Sequence, residues 1–409
     1  MSTKTPVFPI LLVNFIGSLG FSIVLPFVVI LVLKFGGNEL SYGFLGATYS
    51  FFQMIGAPIL GHWSDKYGRK KILLLSEAGS LAGWILFLIA LYIPGRELGI
   101  HSYALKIFMN TLPLFLLFIA RAVDGLTGGN ITVANAYLAD VSSREDRKKN
   151  FGKMAAAANI GFIIGPALAG ILGATALGIA LPVAVAIGVS LLCLSTIAFQ
   201  LKNVMPKIEK EATKTKAGLF EILKLPYVPY FLALYFLIYL GFNFFYVAFP
   251  VYVVQQLHWN ILQLGIFFAI LSGLLVIIEG PVLSGLAPRV SGSVLVITGI
   301  LLLAVAFVLF CSSSTLLLYL GLVFFSLGNG IMWPSFLALM ANATEDRYQG
   351  AVQGFAGGTG SLASIIGLVS GAFLYKIMGA NIFLMATAFM IIIAATSYKL
   401  ISIEKETAG

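Results

Sequence analysis

Arg121-Ala-Val-Asp124-Gly125 opens the stretch that decides the fold, and Gly152, Gly161, Gly165-Pro166 and Gly170 close it. It reads as a long apolar helix, the charged run Arg144-Glu-Asp-Arg147-Lys-Lys, and a second apolar helix. Residues three apart share a helix face, so Arg121 and Asp124 look the same way. Their surroundings are apolar enough to lie in a membrane, where ionisable groups are costly and are retained for function. Glycines at 152, 161, 165 and 170 leave a smooth strip on which another helix can pack closely. The charged run between the helices reads as a compact turn in water. About 200 residues later the plan recurs: Glu345-Asp346-Arg347 matches Glu145-Asp146-Arg147, Gly328 matches Gly128, and Gly371 falls near the place of Gly170. Two copies of one membrane unit are therefore expected.

Composition points the same way. Of the 409 residues 59% are hydrophobic and 10% charged, against about 25% charged in a soluble domain. A spanning helix takes about 20 apolar residues, so the length holds about twelve with short connections. Strand-type alternation is absent, which sets a membrane β-barrel aside. The expectation is an all-α membrane protein of twelve transmembrane helices in two pseudo-symmetric six-helix bundles. Apolar runs place the spans near 7–34, 41–62, 71–93, 112–139, 150–173 and 179–201, then 228–256, 262–286, 292–311, 314–342, 350–376 and 379–400. Residues 1–201 form one bundle, the Lys-, Glu- and Thr-rich 202–227 a cytoplasmic linker, and 228–409 the second bundle. Pro94 to Asn110 reads as a passive outer loop with no equal in the second half.

Charge sets the orientation. With the N-terminus in the cytoplasm, 20 of the 25 Lys and Arg fall on that side, Lys34, Arg96, Lys106 and Lys376 fall outside, and Arg121 is in the membrane. Basic loops stay inside, so both termini are cytoplasmic and the formal +9 needs no nucleic acid to explain it. One lysine before a long apolar run, without a cleavage site, leaves the first segment as a helix. Cys193 and Cys311 lie in apolar segments of different halves and read as packing residues rather than a disulfide. His62, His101 and His258 are scattered near loops, so no metal site is expected.

After the second span stands Gly61-His-Trp-Ser-Asp65-Lys-Tyr-Gly68-Arg69-Lys70-Lys71. Its glycines permit a tight turn, and Asp65 and the basic run can pair with charges or helix ends as the halves move. The second-half counterpart, Gly285-Leu-Ala-Pro-Arg289-Val-Ser-Gly292, keeps the glycines and loses the acid. With these motifs the whole chain resembles the major facilitator superfamily. The Gly61–Arg69 loop is similar to that family's signature between its second and third spans, and Leu117-x3-Arg121-x2-Asp124-Gly125 to its fourth-span signature, with Asp124 where a neutral polar residue is usual. Gly152-x8-Gly161-x3-Gly165-Pro166-x2-Ala169-Gly170 resembles the fifth-span signature of the antiporter branch, with Ala169 replacing a glycine. Around Ala136-Tyr-Leu-Ala-Asp140 the chain is similar to tetracycline/H⁺ antiporters. Those proteins carry a first-span aspartate where Gly17 stands here, with Asn14 one turn earlier, so neither their coupling nor their drug transfers directly.

The resemblance implies a secondary transporter exporting a small amphiphilic organic compound, such as a drug, metabolite or siderophore, in exchange for protons by alternating access. Asp65, Arg69, Asp140, Gly61, Gly68, Gly161, Gly165 and Pro166 would govern the conformational switch. Proton coupling needs a carboxyl that loads and releases near neutral pH, and burial among apolar groups provides one. Asp124 has two readings, proton path or permanent partner of Arg121. Arg121 likewise reads as an aid to proton transfer, an anion attractor or a fixed salt bridge. Glu279, before Gly280-Pro281, is a further coupling candidate, whereas Glu77 reads as a snorkelling acid paired with a loop lysine. Asn14, Gln53, Asn159, Tyr235, Tyr239, Asn243, Tyr246, Phe268, Asn329 and Trp333 are candidates for the substrate-binding wall, an aromatic surface suited to a flat amphiphile. Packing and an aromatic belt account for each singly. No Gly-x4-Gly-Lys-Ser/Thr loop and no hydrolase nucleophile occur, so an ATP-driven pump and an enzyme are not expected, and no cofactor is. A proton symporter or facilitator for nutrient uptake and a non-transporting sensor are the alternatives. The expected partners are the small-molecule substrate, protons and the lipid bilayer of a bacterial inner membrane, with the chain acting as a monomer.

Overall fold

The computed structural model describes residues 6–99, 102–128, 130–204, 219–345 and 348–408. Its first part runs through α1 (Phe8–Ser22), α2 (Leu25–Lys34), α3 (Glu39–Tyr67), α4 (Arg69–Tyr92), the short α5 (Tyr103–Met109), α6 (Leu112–Thr127), α7 (Asn130–Val141), α8 (Arg144–Gly173) and α9 (Ala180–Gln200). After α10 (Leu219–Ile222) come α11 (Val228–Gln255), α12 (Ile261–Ile277), a π turn at Ile278–Val282, α13 (Leu283–Leu286) and α14 (Gly292–Phe310). Then follow α15 (Thr315–Asn342), α16 (Gln349–Met378), a 3₁₀ turn at Gly379–Asn381, α17 (Ile382–Thr396) and α18 (Lys399–Ala408). Among the described residues ten stretches are long and apolar enough to cross a membrane, one of which, Gln349–Thr407, contains both α16 and α17. Separating those two and adding the more polar, 29-residue α3 accounts for the twelve spans expected from the sequence.

Local chemistry explains where the rods break. Pro26 stands in the first turn of α2, where a missing N–H costs nothing, and the first rod breaks just before it. Pro281 sits in the π turn that interrupts the eighth rod. One sequence expectation is corrected: Arg144 to Lys149 is not a turn but the start of α8. Ser143 caps it, its hydroxyl accepting from the Asp146 N–H at 3.1 Å and donating to the Asp146 carboxylate at 2.9 Å. A hydroxyl at the cap and an acid three residues on satisfy the free amides of a first helical turn, which lets the charged run stay helical. The Pro94–Asn110 loop likewise contains α5, and Glu97 bridges Thr111. Asp346 and Arg347 of the second charged triplet lie outside the described residues, as do 205–218 of the expected linker.

The chain divides into two compact units, Met1–Ile208 with His258–Ala269, and Glu209–Leu257 with Ile270–Gly409. Within the first, α1 packs on α8 and α9, and α4 packs on α6 and α9. Within the second, α11 packs on α16 and α17, and α14 packs on α15 and α17. These four pairings recur in both, so the internal repeat seen in the sequence is also a repeat of helix contacts, although the α3–α6 packing of the first unit has no equal in the second. Close packing on glycine marks the equivalent seams. A Cβ at Gly161 would stand 2.8 Å from the Leu19 amide and 2.8 Å from the Phe15 carbonyl, and one at Gly165 would stand 2.8 Å from the Ile23 amide. Across the α11–α16 seam, a Cβ at Gly367 would come within 2.7 Å of Asn243 and one at Gly371 within 2.7 Å of Val247. By packing role the partner of Gly371 is therefore Gly165, not Gly170 as the sequence offset suggested.

In the first unit two apolar clusters stand apart. One gathers Phe27, Trp84, Phe87, Leu117 and Phe118; the other gathers Ile10, Val13, Leu73, Tyr137 and Cys193. The second unit has a tighter aromatic core, with Phe245 at 4.5 Å from Phe325 and 5.0 Å from Phe310 between ring centroids. Its α18, missed in the sequence, is anchored by Glu404, which accepts from the Gly292 and Ser293 amides at 2.8 and 2.9 Å at the start of α14.

The seam makes a prediction that magnitudes can decide. Gly→Ala in a helix gains about 1 kcal/mol in propensity, whereas overpacking a tight contact costs about 1–3 kcal/mol. Gly161→Ala is therefore expected to lower the thermal unfolding midpoint of the detergent-purified protein. Gly152→Ala, where a Cβ meets nothing within 4 Å, is expected to leave it unchanged or raise it. Equal effects at the two positions would contradict the packing account.

Candidate functional site: an ion pair and a second acid in one cavity

The two apolar clusters of the first unit leave between them a cavity of about 200 Å³, lined by members of both, Trp84 from one and Val13 and Leu73 from the other. Its polar groups arrive on helical strips. Leu73, Glu77, Ser80 and Trp84 recur at three- and four-residue steps on α4 and all face it. Helix α6 brings Asp124 and Gly128, α9 brings Ser190 and Ile197, α3 brings Tyr49 and Gln53, and α1 brings Asn14 and Gly17.

Asp124 is 6% exposed and fully engaged. One carboxylate oxygen accepts from the Ser80 hydroxyl at 2.8 Å and the other from an Arg121 guanidinium N–H at 3.4 Å. Arg121, also 6% exposed, lies against three aromatic faces, with its guanidinium carbon 5.3 Å from the ring centre of Phe87, 5.7 Å from Tyr49 and 6.0 Å from Trp84. Guanidinium tolerates such surroundings because its charge is spread and weakly hydrated, and aromatic faces attract it. The arrangement joins two of the sequence readings, since Asp124 is Arg121's partner and also faces the cavity. Ser76 fixes the α4–α6 crossing by donating to the Thr127 carbonyl, and Gly125 lets α3 approach, a Cβ there lying 2.5 Å from the Tyr49 carbonyl.

Glu77 departs from its expectation. It is 4% exposed, on the cavity strip of α4 rather than on a surface-facing one, and pairs with no lysine among the described residues. Lys70, two helical turns before it, donates to the Ala198 carbonyl at 2.6 Å. The Glu77 carboxyl has the Ser190 hydroxyl and the Cys193 thiol within hydrogen-bonding reach. Only the four-step spacing to Leu73, Ser80 and Trp84 could have revealed this, and it does so once the cavity face of α4 is known. Ser80, Tyr49, Trp84 and Ser190 were also missed.

Of the expected switch residues, Asp65, Arg69 and Asp140 come together, while Gly161 and Gly165 pack on α1 instead. Arg69 pairs with Asp65 at 2.5 Å and with Asp140 at 2.9 Å, and donates to the Ser64 hydroxyl at 2.6 Å. Gly68, at φ +95°, allows α3 to turn directly into α4. Gly61 stands in open space and Pro166 within α8. Of the substrate-wall candidates, Asn14 and Gln53 line the cavity. Asn14 is held by an N–H to the Met154 carbonyl at 2.8 Å, and Gln53 by one to the Tyr49 hydroxyl at 3.0 Å. Asn159 stands half-buried on α8, away from that lining, and Phe268 is buried edge-on against Phe267.

The second unit holds the aromatic candidates. Tyr235 and Tyr239 stack at 4.9 Å, and Trp333 meets their edges at 5.1 and 5.2 Å. Asn243 is buried, its amide donating to the Tyr239 carbonyl at 2.7 Å and the Ser364 hydroxyl at 3.2 Å. Tyr246 is more open, and Asn329 is half-buried on α15. Glu279 lies in the π turn, half-buried beside Gly330. No group of His, Cys, Asp or Glu among the described residues could hold a metal ion.

Known proteins share this arrangement of helices. A family model described as Major Facilitator Superfamily matches residues 10–367 and 280–408. The chain is 26% identical over 373 residues to the class H tetracycline resistance protein of Pasteurella multocida, covering 90% of this chain and 88% of that one. It is also 26% identical over 406 residues to multidrug resistance protein 2 of Bacillus subtilis, covering 96% and 94%. Among solved structures, a D-xylose-proton symporter superposes with a TM-score of 0.75 at 15% identity, over 96% of this chain and 98% of that one. The human organic anion transporter MFSD10 does so with a TM-score of 0.69 at 20% identity, over 97% and 100%; at such identities the likeness speaks for the fold alone. A family match along most of the sequence, carried by a doubled helical network with Arg121 and Asp124 buried at its charged centre, means that the chain belongs to the Major Facilitator Superfamily of membrane transporters.

Proposed function

We propose that this protein exports small amphiphilic organic compounds in exchange for protons, by alternating access, as a monomer in a bacterial inner membrane with both termini in the cytoplasm. The buried Arg121–Asp124 pair, whose Asp124 lines the cavity, carries the reading. Ionisable groups are kept at membrane depth when they move ions or substrate. The similarity to tetracycline and multidrug resistance proteins supports the direction and the substrate class. The stacked Tyr235 and Tyr239 rings, with Trp333 edge-on to both, offer aromatic area that suits a planar amphiphile. In this reading Asp124 serves as the counter-charge that keeps Arg121 in place. Arg69, bridging Asp65 and Asp140, is the latch whose making and breaking accompanies the conformational change, and Glu279 is a secondary candidate for coupling.

Three outcomes are expected. In everted vesicles with an acidified lumen, the protein should accumulate ethidium, and nigericin, by collapsing the pH difference, should abolish the accumulation. Uptake indifferent to the gradient would remove proton exchange from the mechanism. Arg121→Gln and Asp124→Asn should each cost about 3–5 kcal/mol by stranding a buried charge. The double variant should cost clearly less than the sum, as read from chemical unfolding midpoints in detergent. Additive losses would mean that the two groups are not a pair. Asp140→Asn should slow ethidium transport several-fold while leaving its equilibrium binding to the purified protein unchanged, because the latch lies outside the cavity.

A further inference from the structure

We propose that Glu77, rather than Asp124, is the acid that carries the exchanged proton. This rests on the reading of the protein as a proton-coupled transporter. The cavity holds two carboxyls in unlike settings. Asp124 faces a guanidinium and a hydroxyl, so its negative charge is matched where it stands. Glu77 is no less buried; its hydrogen-bonding neighbours are neutral, and the charge acting on it is the like charge of Asp124. From α9 it meets the Ser190 hydroxyl and the Cys193 thiol; from α6 the titratable and charged groups are Asp124 and Arg121, already paired to each other. From α3 comes the neutral Tyr49, whose hydroxyl accepts from Gln53, and from α1 the neutral amide of Asn14 and hydroxyl of Ser18. On α7 the buried Tyr137 donates to the Lys202 carbonyl. On α4 itself Arg69 and Lys70 are held by Asp140 and Ala198. Among the described residues no cation is within ion-pairing distance of Glu77.

The consequence is electrostatic. A bare carboxylate as buried as Glu77, 4% exposed, would bear a heavy desolvation cost with no counter-charge. While water is kept from it Glu77 is therefore held as the neutral acid, its hydrogen shared with Ser190 or with the cavity's own polar groups. When the cavity opens to water, the Glu77 O–H bond breaks, the proton passes to water, and the electron pair remains on the carboxylate, now hydrated. Closing again requires a proton from water on the opposite side. One proton is thus carried per cycle, and no redox partner is needed. Asp124 performs no such step, because its neutralisation would strand Arg121.

Infrared difference spectroscopy of the purified protein, stepping the pH across the neutral range, tests the assignment without any substrate. The expected result is a protonated-carboxyl C=O stretch that shifts when glutamate bearing a heavy-carbon carboxyl is incorporated. Glu77→Gln should abolish the band and Glu77→Asp should move it, while the Arg121→Gln/Asp124→Asn double variant should keep it. A band that fails to shift with labelled glutamate, or that survives in Glu77→Gln, overturns the proposal. Should Glu77→Gln not fold, the labelling of the wild-type protein and the Glu77→Asp shift still decide. In everted vesicles, Glu77→Gln should lose the dependence of ethidium accumulation on the pH difference. If accumulation in the wild-type protein ignores the gradient, the transport reading fails first, whereas a gradient-driven wild type with a gradient-driven Glu77→Gln sinks the role of Glu77 alone.

Discussion

A guanidinium cannot shed its charge, and Arg121 is placed where water is scarce. Most of the first unit's polar architecture follows from that. Asp124, one helical turn along, neutralises it; Ser80 reaches over from α4 to hold Asp124; and Tyr49, Trp84 and Phe87 turn ring faces toward the cation. Each requires helices to cross at fixed points, and the crossings are secured by small residues. Gly125 admits the backbone of α3, while Ser76 and Thr127 tie α4 to α6. The charge and the close packing are thus one constraint: without the glycines the aromatic and acidic partners could not converge on Arg121.

The second unit repeats the pairings of α1 and α4 as those of α11 and α14, with no charged residue at the places that match the ion pair. At the offset that matches Gly128 with Gly328, Gly321 and Phe324 occupy the places of Arg121 and Asp124. With no charge to house, α14 and α15 close directly on one another, a Cβ at Gly299 falling 2.5 Å from the Gly328 carbonyl. Phenylalanine rings fill the remaining space. One scaffold therefore supports two interiors, an ionic one and an aromatic one, and the difference resides in a few side chains.

Which parts of this were legible beforehand depended on the range of the interaction. Spans were readable because apolar runs of membrane length have no other reading, and the Arg121–Asp124 pair because a three-residue step is a local fact. The Asp65–Arg69 pair was local too, and the motif pointed to it, but Asp140 as its second partner lies 71 positions on and was supported only by resemblance. The Arg144–Lys149 run was misread because charge density was taken as a turn signal, when the Ser143 cap makes it a helix start. Glu77 was misplaced for a subtler reason. The side it faces depends on where α9 and α1 pack, which no local pattern encodes.

That last point explains why the acid with no sequence neighbour is the consequential one. A charged pair three residues apart is recognisable because its members satisfy each other, and self-satisfaction fixes both in one protonation state. A group able to change its state must lack a permanent counter-charge, so it appears in sequence as an isolated acid on an otherwise apolar helix. Glu77, flanked by Leu73, Leu74, Leu75 and Leu81, has that appearance. The fold brings it to a cavity whose other acid is spoken for and sets it beside hydroxyl and thiol groups that offer no permanent counter-charge. Chemistry that must be reversible is thus set by tertiary packing, while chemistry that must be permanent is already written in helical spacing.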